Sequence, residues 1–231
     1  PGIGILKAAV PALKAREGLD AVVANAENAT NGSGLSPRDY RAVRAAGVDA
    51  ITLGDHAYKK FEIHSILESP GEPIGKPANY PATAPGKDRV TFATAAGVRV
   101  GVVTLLGRTF MRPVDCPFAA IDRILAELRG TVDVVLVDVH AEATADKYLL
   151  ARHLDGRVAA VLGTHTHVPT ADEQILPGGT AFVCDVGMTG PYDSILGRRV
   201  DRVLHTAITF EPSAFDVATG DVRLGGAIVD V

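Results

Sequence analysis

The sequence predicts one α/β domain, residues 1–231, with a partly antiparallel sheet. Three observations lead there. Helical and extended apolar patterns alternate over the first two-thirds of the chain, as expected for parallel strands joined by helical crossovers. The last third turns to short extended runs separated by turn residues. With 231 residues, 47% hydrophobic and 22% charged, the chain can bury a large core without a disulfide or metal staple. No repeat, low-complexity run or interdomain linker divides it.

The elements follow in order. Ile3, Leu6, Val10 and Leu13 recur at helical spacing behind Pro1-Gly2. An apolar strand at 20–24 comes next. Parallel α/β sheets usually open with a strand that feeds the first helix. The first helix here has none, so a strand and its loop are expected to be missing from the start. Ser36 reads as an N-cap, Pro37 as the first helical residue and Gly47 as the helix end. Residues 50–53 read as a strand and 59–67 as a helix. Five Pro and three Gly between 70 and 88 mark a loop or covering arm. Residues 90–94 and 98–105 form a hairpin around Ala96-Gly97. A helix at 118–128, a buried strand at 132–139, a helix at 144–153 and a buried strand at 158–162 continue the alternation. The closing strands are predicted at 181–186, 205–210 and 222–231.

Composition removes several function classes. Lys+Arg number 23 against 27 Asp+Glu, a formal net charge of -4, so RNA or DNA binding is not indicated by charge. There is no Trp to stack on bases. No apolar run approaches a membrane span of ~20 residues. No charged segment leads into an apolar one as in a signal peptide, so a cytoplasmic protein is expected. Cys116 and Cys184 lie outside any C-x-x-C pattern and read as free thiols.

Four apolar strands run straight into polar loops, at 25–28, 54–56, 140–142 and 163–167. If the strands are parallel, these loops converge on one rim, where open α/β sheets bind ligands. They supply Glu27, Asn28, Asp55, His56, His140, His165 and His167. Imidazole with carboxylate or amide oxygen suits Zn, Fe or Mn. One histidine after a strand is more often a hydrogen-bonded rim residue. Four of the seven histidines at strand ends favour a metal. The spacing of His165 and His167 sends both rings to one side of an extended segment. His64, His153 and His205 lack such neighbours and read as structural. Arg108 in the loop 107–109 is either a phosphate contact or a solvated cation. Residues 187–193 are either a pocket wall or an ordinary turn.

Asn-Ala-Glu-Asn (25–28), Gly-Asp-His (54–56), His-Ala-Glu-Ala-Thr (140–144), Gly-Thr-His-Thr-His (163–167) and Asp-Val-Gly-Met-Thr-Gly-Pro-Tyr-Asp (185–193) stand in this order. Along essentially its whole length the chain resembles the YmdB-like bacterial metallophosphoesterases. The resemblance implies a calcineurin-like sandwich of mixed sheets flanked by helices. It implies two divalent metal ions, iron or manganese, with zinc fitting the same ligands. It also implies hydrolysis of small phosphodiesters such as 2′,3′-cyclic nucleotides, and a homo-oligomer. Carried over by motif, Glu27 bridges the metals. Asn28 and His167 hold the first metal; Asp55, His140 and His165 hold the second. His56 lies beside the scissile phosphate as general acid or charge stabiliser. Two ions ~3.5–4 Å apart suit in-line displacement at phosphorus.

This chain departs from the family pattern twice. The family opens with a strand ending in Gly-Asp, whose Asp binds the first metal, and this chain starts past it. The second metal is therefore expected to be held better than the first. Asp55 stands where the family usually has Asn, and its added charge should tighten the second metal while lowering its Lewis acidity. The rival reading is a metal-binding regulatory protein with little turnover. An amidohydrolase-type barrel is disfavoured, because its His-x-His lies near the first strand and this one comes late.

Overall fold

In the computed structural model, which describes residues 1–231, the chain begins as α1 (Gly2–Glu17), β1 (Val23–Asn25), α2 (Pro37–Ala45) and β2 (Ala50–Thr52). β1 and β2 pair in parallel, Ala24 opposite Ile51. Ser36 caps α2: its Oγ accepts the Asp39 backbone N–H at 3.2 Å, and Pro37 opens the helix. Over 59–67 the predicted helix is a 3-10 turn (Phe61–Ile63) running into one α-helical turn, α3 (His64–Leu67). Pro70 restricts Ser69 before it, and too few residues remain for a longer helix.

The hairpin is present as β3 (Val90–Ala93) and β4 (Arg99–Leu106). Then α4 (Pro117–Leu128), β5 (Val134–His140), α5 (Thr144–Leu154) and β6 (Ala160–Thr164) follow. β7 (Gln174–Ile175) and β8 (Ala181–Val183) complete a six-stranded sheet ordered β3-β4-β5-β6-β8-β7. Its four inner strands are parallel, and β3 and β7 run antiparallel at the edges. A third small sheet pairs β9 (Gly190–Asp193) with β10 (Gly220–Arg223). Both thiols are free.

Between β9 and β10 the structure corrects the sequence reading. Residues 205–210 are not a strand; all but the last belong to α6 (Val200–Thr209). Val200, Val203, Leu204, Ala207 and Ile208 recur at helical spacing, a period hidden by the local alternation of His205 to Phe210. From 222–231, only Val222 and Arg223 pair in a strand.

Side-chain alternation builds the layers. Val103, Leu105, Val137, Val139 and Val161 point to α4 and α5, where they meet Ile121, Ile124, Leu128, Leu150 and Leu154. Val100 and Val102 point the other way and pack with Ala50 of β2 and Val90, while Val23, Val134 and Leu136 lean on the same cluster. The β1–β2 pair therefore lies over the large sheet. Its outer face is closed by Tyr40, Val43, Ile63 and Leu67 against Ile51 and Leu53. The result is a sandwich of one mixed sheet and a small parallel one, flanked by helices. The Pro-rich segment 70–88 ties its layers. Ile51 N–H donates to Pro73 O at 2.8 Å, and Ala78 N–H donates to Thr104 O at 2.7 Å. No helix is long and apolar enough to cross a membrane.

Candidate metal centre

The site forms where the inter-sheet face changes from apolar to polar. Along β5, Val134 and Leu136 face the small sheet, and Asp138 and His140 follow on the same side. Asn25 ends β1, Thr52 ends β2 and Thr164 ends β6. These polar residues meet at the carboxyl ends of their strands, on one rim.

Asp138 is the hub. Its Oδ2 accepts from Asn25 Nδ2 at 2.9 Å and Thr52 Oγ1 at 2.7 Å, and its Oδ1 accepts from Thr164 Oγ1 at 2.6 Å. His140 Nδ1 lies 2.8 Å from that same Thr164 Oγ1. A hydroxyl has one hydrogen, and Thr164 gives it to Asp138, so Thr164 accepts from His140 Nδ1–H. Asn25 Nδ2, 3.5 Å from Nδ1, is too distant to compete. This fixes the proton of the neutral ring on Nδ1 and leaves Nε2 as the donor atom facing the site.

Three atoms surround that Nε2, each at 3.1 Å: Glu27 Oε1, Asp55 Oδ1 and His165 Nδ1. The donor atoms of Glu27, Asp55, His140 and His165 all lie within 4.8 Å of one another. On its far side, His165 Nε2 meets Glu142 Oε2 at 3.1 Å, which turns Nδ1 inward. Gly54 makes the crowding possible, because a Cβ there would collide with His140 Nε2 and Glu27 Oε2.

The charges of this cluster depend on each other. Burial opposes ionisation of His140, but hydrogen bonds to Asp55 and Glu27 push its pKa up to about 10. Burial also opposes ionisation of Asp55; the His140 hydrogen bond and the nearby imidazoles outweigh it and bring the carboxyl down to about 2. Glu27 is lowered by the same balance, with His140 again the main opponent of burial. His165 is pushed down by burial and by the charge of His140. Two carboxylates and two imidazoles whose donor atoms converge in this way form a set that fits a divalent cation.

The other predicted residues stand next to this group, and Asn28 meets the same Glu27 oxygen as His140. Asn28 Nδ2 lies 3.3 Å from Glu27 Oε1 and 3.4 Å from His167 Nε2. The Nδ1 of His167 is buried without a partner. His56 donates its backbone N–H to Glu27 Oε2 at 3.0 Å, and its Nδ1 lies 2.8 Å from Asn28 Oδ1. Its Nε2 stands 3.7 Å from Asp55 Oδ2, and the ring is one-third exposed. All seven predicted residues are thus assembled, as a tight group of four with Asn28, His167 and His56 beside it. As placed, the Asn28 amide turns its nitrogen toward His167, so ligation through oxygen requires the amide to turn over.

One local expectation is corrected. The segment from His165 to His167 is not extended: His165 has φ 93° and His167 φ 66°. The two rings consequently reach different partners, His140 and Asn28. The structural reading of the other histidines agrees with their contacts. His153 pairs with Asp122, His205 with Glu211, and His64 packs edge-on against Tyr58. Arg108 is exposed, and its backbone N–H is held by Asp146 Oδ2 at 2.8 Å. Sequence reasoning missed Asp138, Thr164, Asn25 and Thr52. The available signal was a lone carboxylate inside the apolar run 134–139.

Comparison with known proteins shows the family. The family model described as YmdB-like protein matches residues 1–231. The chain is 42% identical over 231 residues to the 2′,3′-cyclic-nucleotide 2′-phosphodiesterase of Bacillus subtilis (strain 168), covering 100% of this chain and 87% of that protein. A crystal structure of a hypothetical protein from Thermus thermophilus superposes with a TM-score of 0.89 at 47% identity, covering 95% of this chain and 84% of that one. A crystal structure described as a novel phosphatase, from Mycoplasma pneumoniae, gives a TM-score of 0.85 at 31% identity, covering 94% and 78%. With its full length matched and its rim residues assembled, the chain belongs to the family of YmdB-like proteins.

Proposed function

We propose that this chain is a binuclear metal-dependent phosphodiesterase acting on small phosphodiesters, 2′,3′-cyclic nucleotides in particular. The observation that carries the reading is the meeting of Glu27, Asp55, His140 and His165 donor atoms within 4.8 Å at the strand ends. The substrate class rests on the Bacillus subtilis relative. When bound, two divalent ions, iron or manganese, supply an activated water and Lewis-acid stabilisation of the phosphate oxygens.

The residues of this chain have distinct tasks. Glu27 meets both His140 and Asn28 and would be the carboxylate shared by the two ions. Asp55, His140 and His165 complete the four-donor half, and Asn28 and His167 face Glu27 from the other half. Thr164 and Asp138 hold His140 by its outer nitrogen. His56 keeps Nδ1 on Asn28 and Nε2 beside Asp55, with a partly exposed ring, and so donates a proton or hydrogen bond to the departing oxygen.

Turnover with metal removal tests the reading. Hydrolysis of a 2′,3′-cyclic nucleotide should be saturable, stop after EDTA treatment and return with Mn²⁺. Bound Mn²⁺ without turnover would favour the regulatory alternative. Asp55→Asn keeps an oxygen donor and removes a charge. It should release Mn²⁺ about tenfold more readily, a loss of ~1.4 kcal/mol of binding, measured by dialysis against graded chelator. Unchanged retention would remove Asp55 from the ligand set.

A further inference from the structure

Lys147 and Asp185 are charged, almost wholly buried and unused by the proposed chemistry; each is 1% exposed. Lys147 projects from α5, and its Nζ donates to Asp185 Oδ2 and to Thr166 Oγ1, both at 2.9 Å. The same Asp185 Oδ2 accepts the Thr166 hydroxyl at 2.6 Å and the Thr166 backbone N–H at 3.1 Å. Its Oδ1 accepts the Gly187 N–H at 2.8 Å. Thr166 is the residue between His165 and His167.

A buried ion pair is a poor source of net stability, since apolar residues of equal volume often do as well. This pair has a conformational task within reach. His165 and His167 both hold left-handed backbone, φ 93° and 66°, which a residue with a Cβ adopts only when its surroundings enforce it. The neighbouring strands enforce it from both ends. Val186 N–H donates to Gly163 O at 3.0 Å, and Thr170 N–H donates to Asp185 O at 3.1 Å. A Cβ on Gly163 would collide with the Cys184 backbone, so the two segments touch directly there. Between these stitches, Thr166 is gripped by the ion pair alone.

We propose that the Lys147–Asp185 pair positions the His165-Thr166-His167 turn, and through it sets one imidazole beside His140 and the other beside Asn28. One buried point thereby fixes both halves of the metal centre. Lys147 and Asp185 are positioning residues: neither reaches the donor cluster. This inference rests on the metal-centre reading above.

The test uses Mn²⁺ alone, titrated calorimetrically into the metal-free full chain, with thermal melting measured in parallel. Wild type should bind Mn²⁺; if it does not, the metal-centre reading itself fails. Lys147→Met/Asp185→Leu removes both charges and leaves no buried ion unpaired. It should melt close to wild type and bind Mn²⁺ about 10–100-fold more weakly, the range for residues that orient metal ligands. Thr166→Val keeps the ion pair and the backbone N–H but removes the hydroxyl. It should lose at least threefold in Mn²⁺ affinity with its melting unchanged, and it serves if the double variant does not fold. A purely structural pair would shift melting and leave the affinity of the folded protein intact. Wild-type Mn²⁺ affinity in either folded variant overturns the proposal.

Discussion

His140→Ala should remove Mn²⁺-dependent hydrolysis, lowering kcat/KM by about a thousand-fold or more, because metal-ion stabilisation at phosphorus amounts to several kcal/mol. The size follows from position. His140 Nε2 has Glu27, Asp55 and His165 each at 3.1 Å, so it is the common neighbour of the other three donors. Its loss removes one donor of four and also the cation that offsets two carboxylates in the metal-free chain. Glu27, 2% exposed, would then lose the imidazole that it shares with Asp55. The metal-free variant should therefore melt below wild type as well. Bound Mn²⁺ per chain and kcat/KM on a 2′,3′-cyclic nucleotide check the prediction together. Residual turnover within tenfold of wild type would place the central donor elsewhere.

What the sequence reveals of this site depends on how each residue does its work. Candidate metal donors at the ends of buried strands are conspicuous, because polar residues interrupt an apolar run at a fixed place. Glu27, Asp55, His140 and His165 could be picked out for that reason, and the parallel strands bring them together as expected. Residues that act through a partner carry no such mark. Asn25 and Asp138 are 113 positions apart, and nothing in either segment names the other. Lys147 reads as an ordinary helical lysine until α5 is laid against the 163–170 turn. Backbone handedness is hidden in the same way. Sequence spacing predicts the two rings of His165 and His167 on one side, whereas both residues are left-handed in the fold. Residues 205–210 were ambiguous locally, since the run alternates like a strand but belongs to a longer helical repeat. Six residues are too few to separate the two periods.

Asp138→Asn should weaken Mn²⁺ binding about 10–100-fold, although Asp138 reaches His140 only through Thr164. The carboxylate accepts three hydrogen bonds, from Asn25, Thr52 and Thr164. An amide in its place has one acceptor oxygen and an N–H2 group that points at least one donor against another. Thr164 is then freed to turn its hydrogen toward His140 Nδ1. The neutral imidazole must answer by carrying its proton on Nε2, the atom that faces Glu27 and Asp55. Binding a cation there now requires the tautomer to be reversed at the cost of the new hydrogen bond. Thr164→Val tests the same route from its middle, since it deprives His140 Nδ1–H of its acceptor. If the effect runs from Asp138 through Thr164 to His140, the two losses in Mn²⁺ affinity should overlap. The double variant should then be little worse than the poorer single one. Independent action would give losses that add, and the cycle separates the two outcomes by more than the few tenths of a kcal/mol, about 0.3–0.5, within which distant sites are additive.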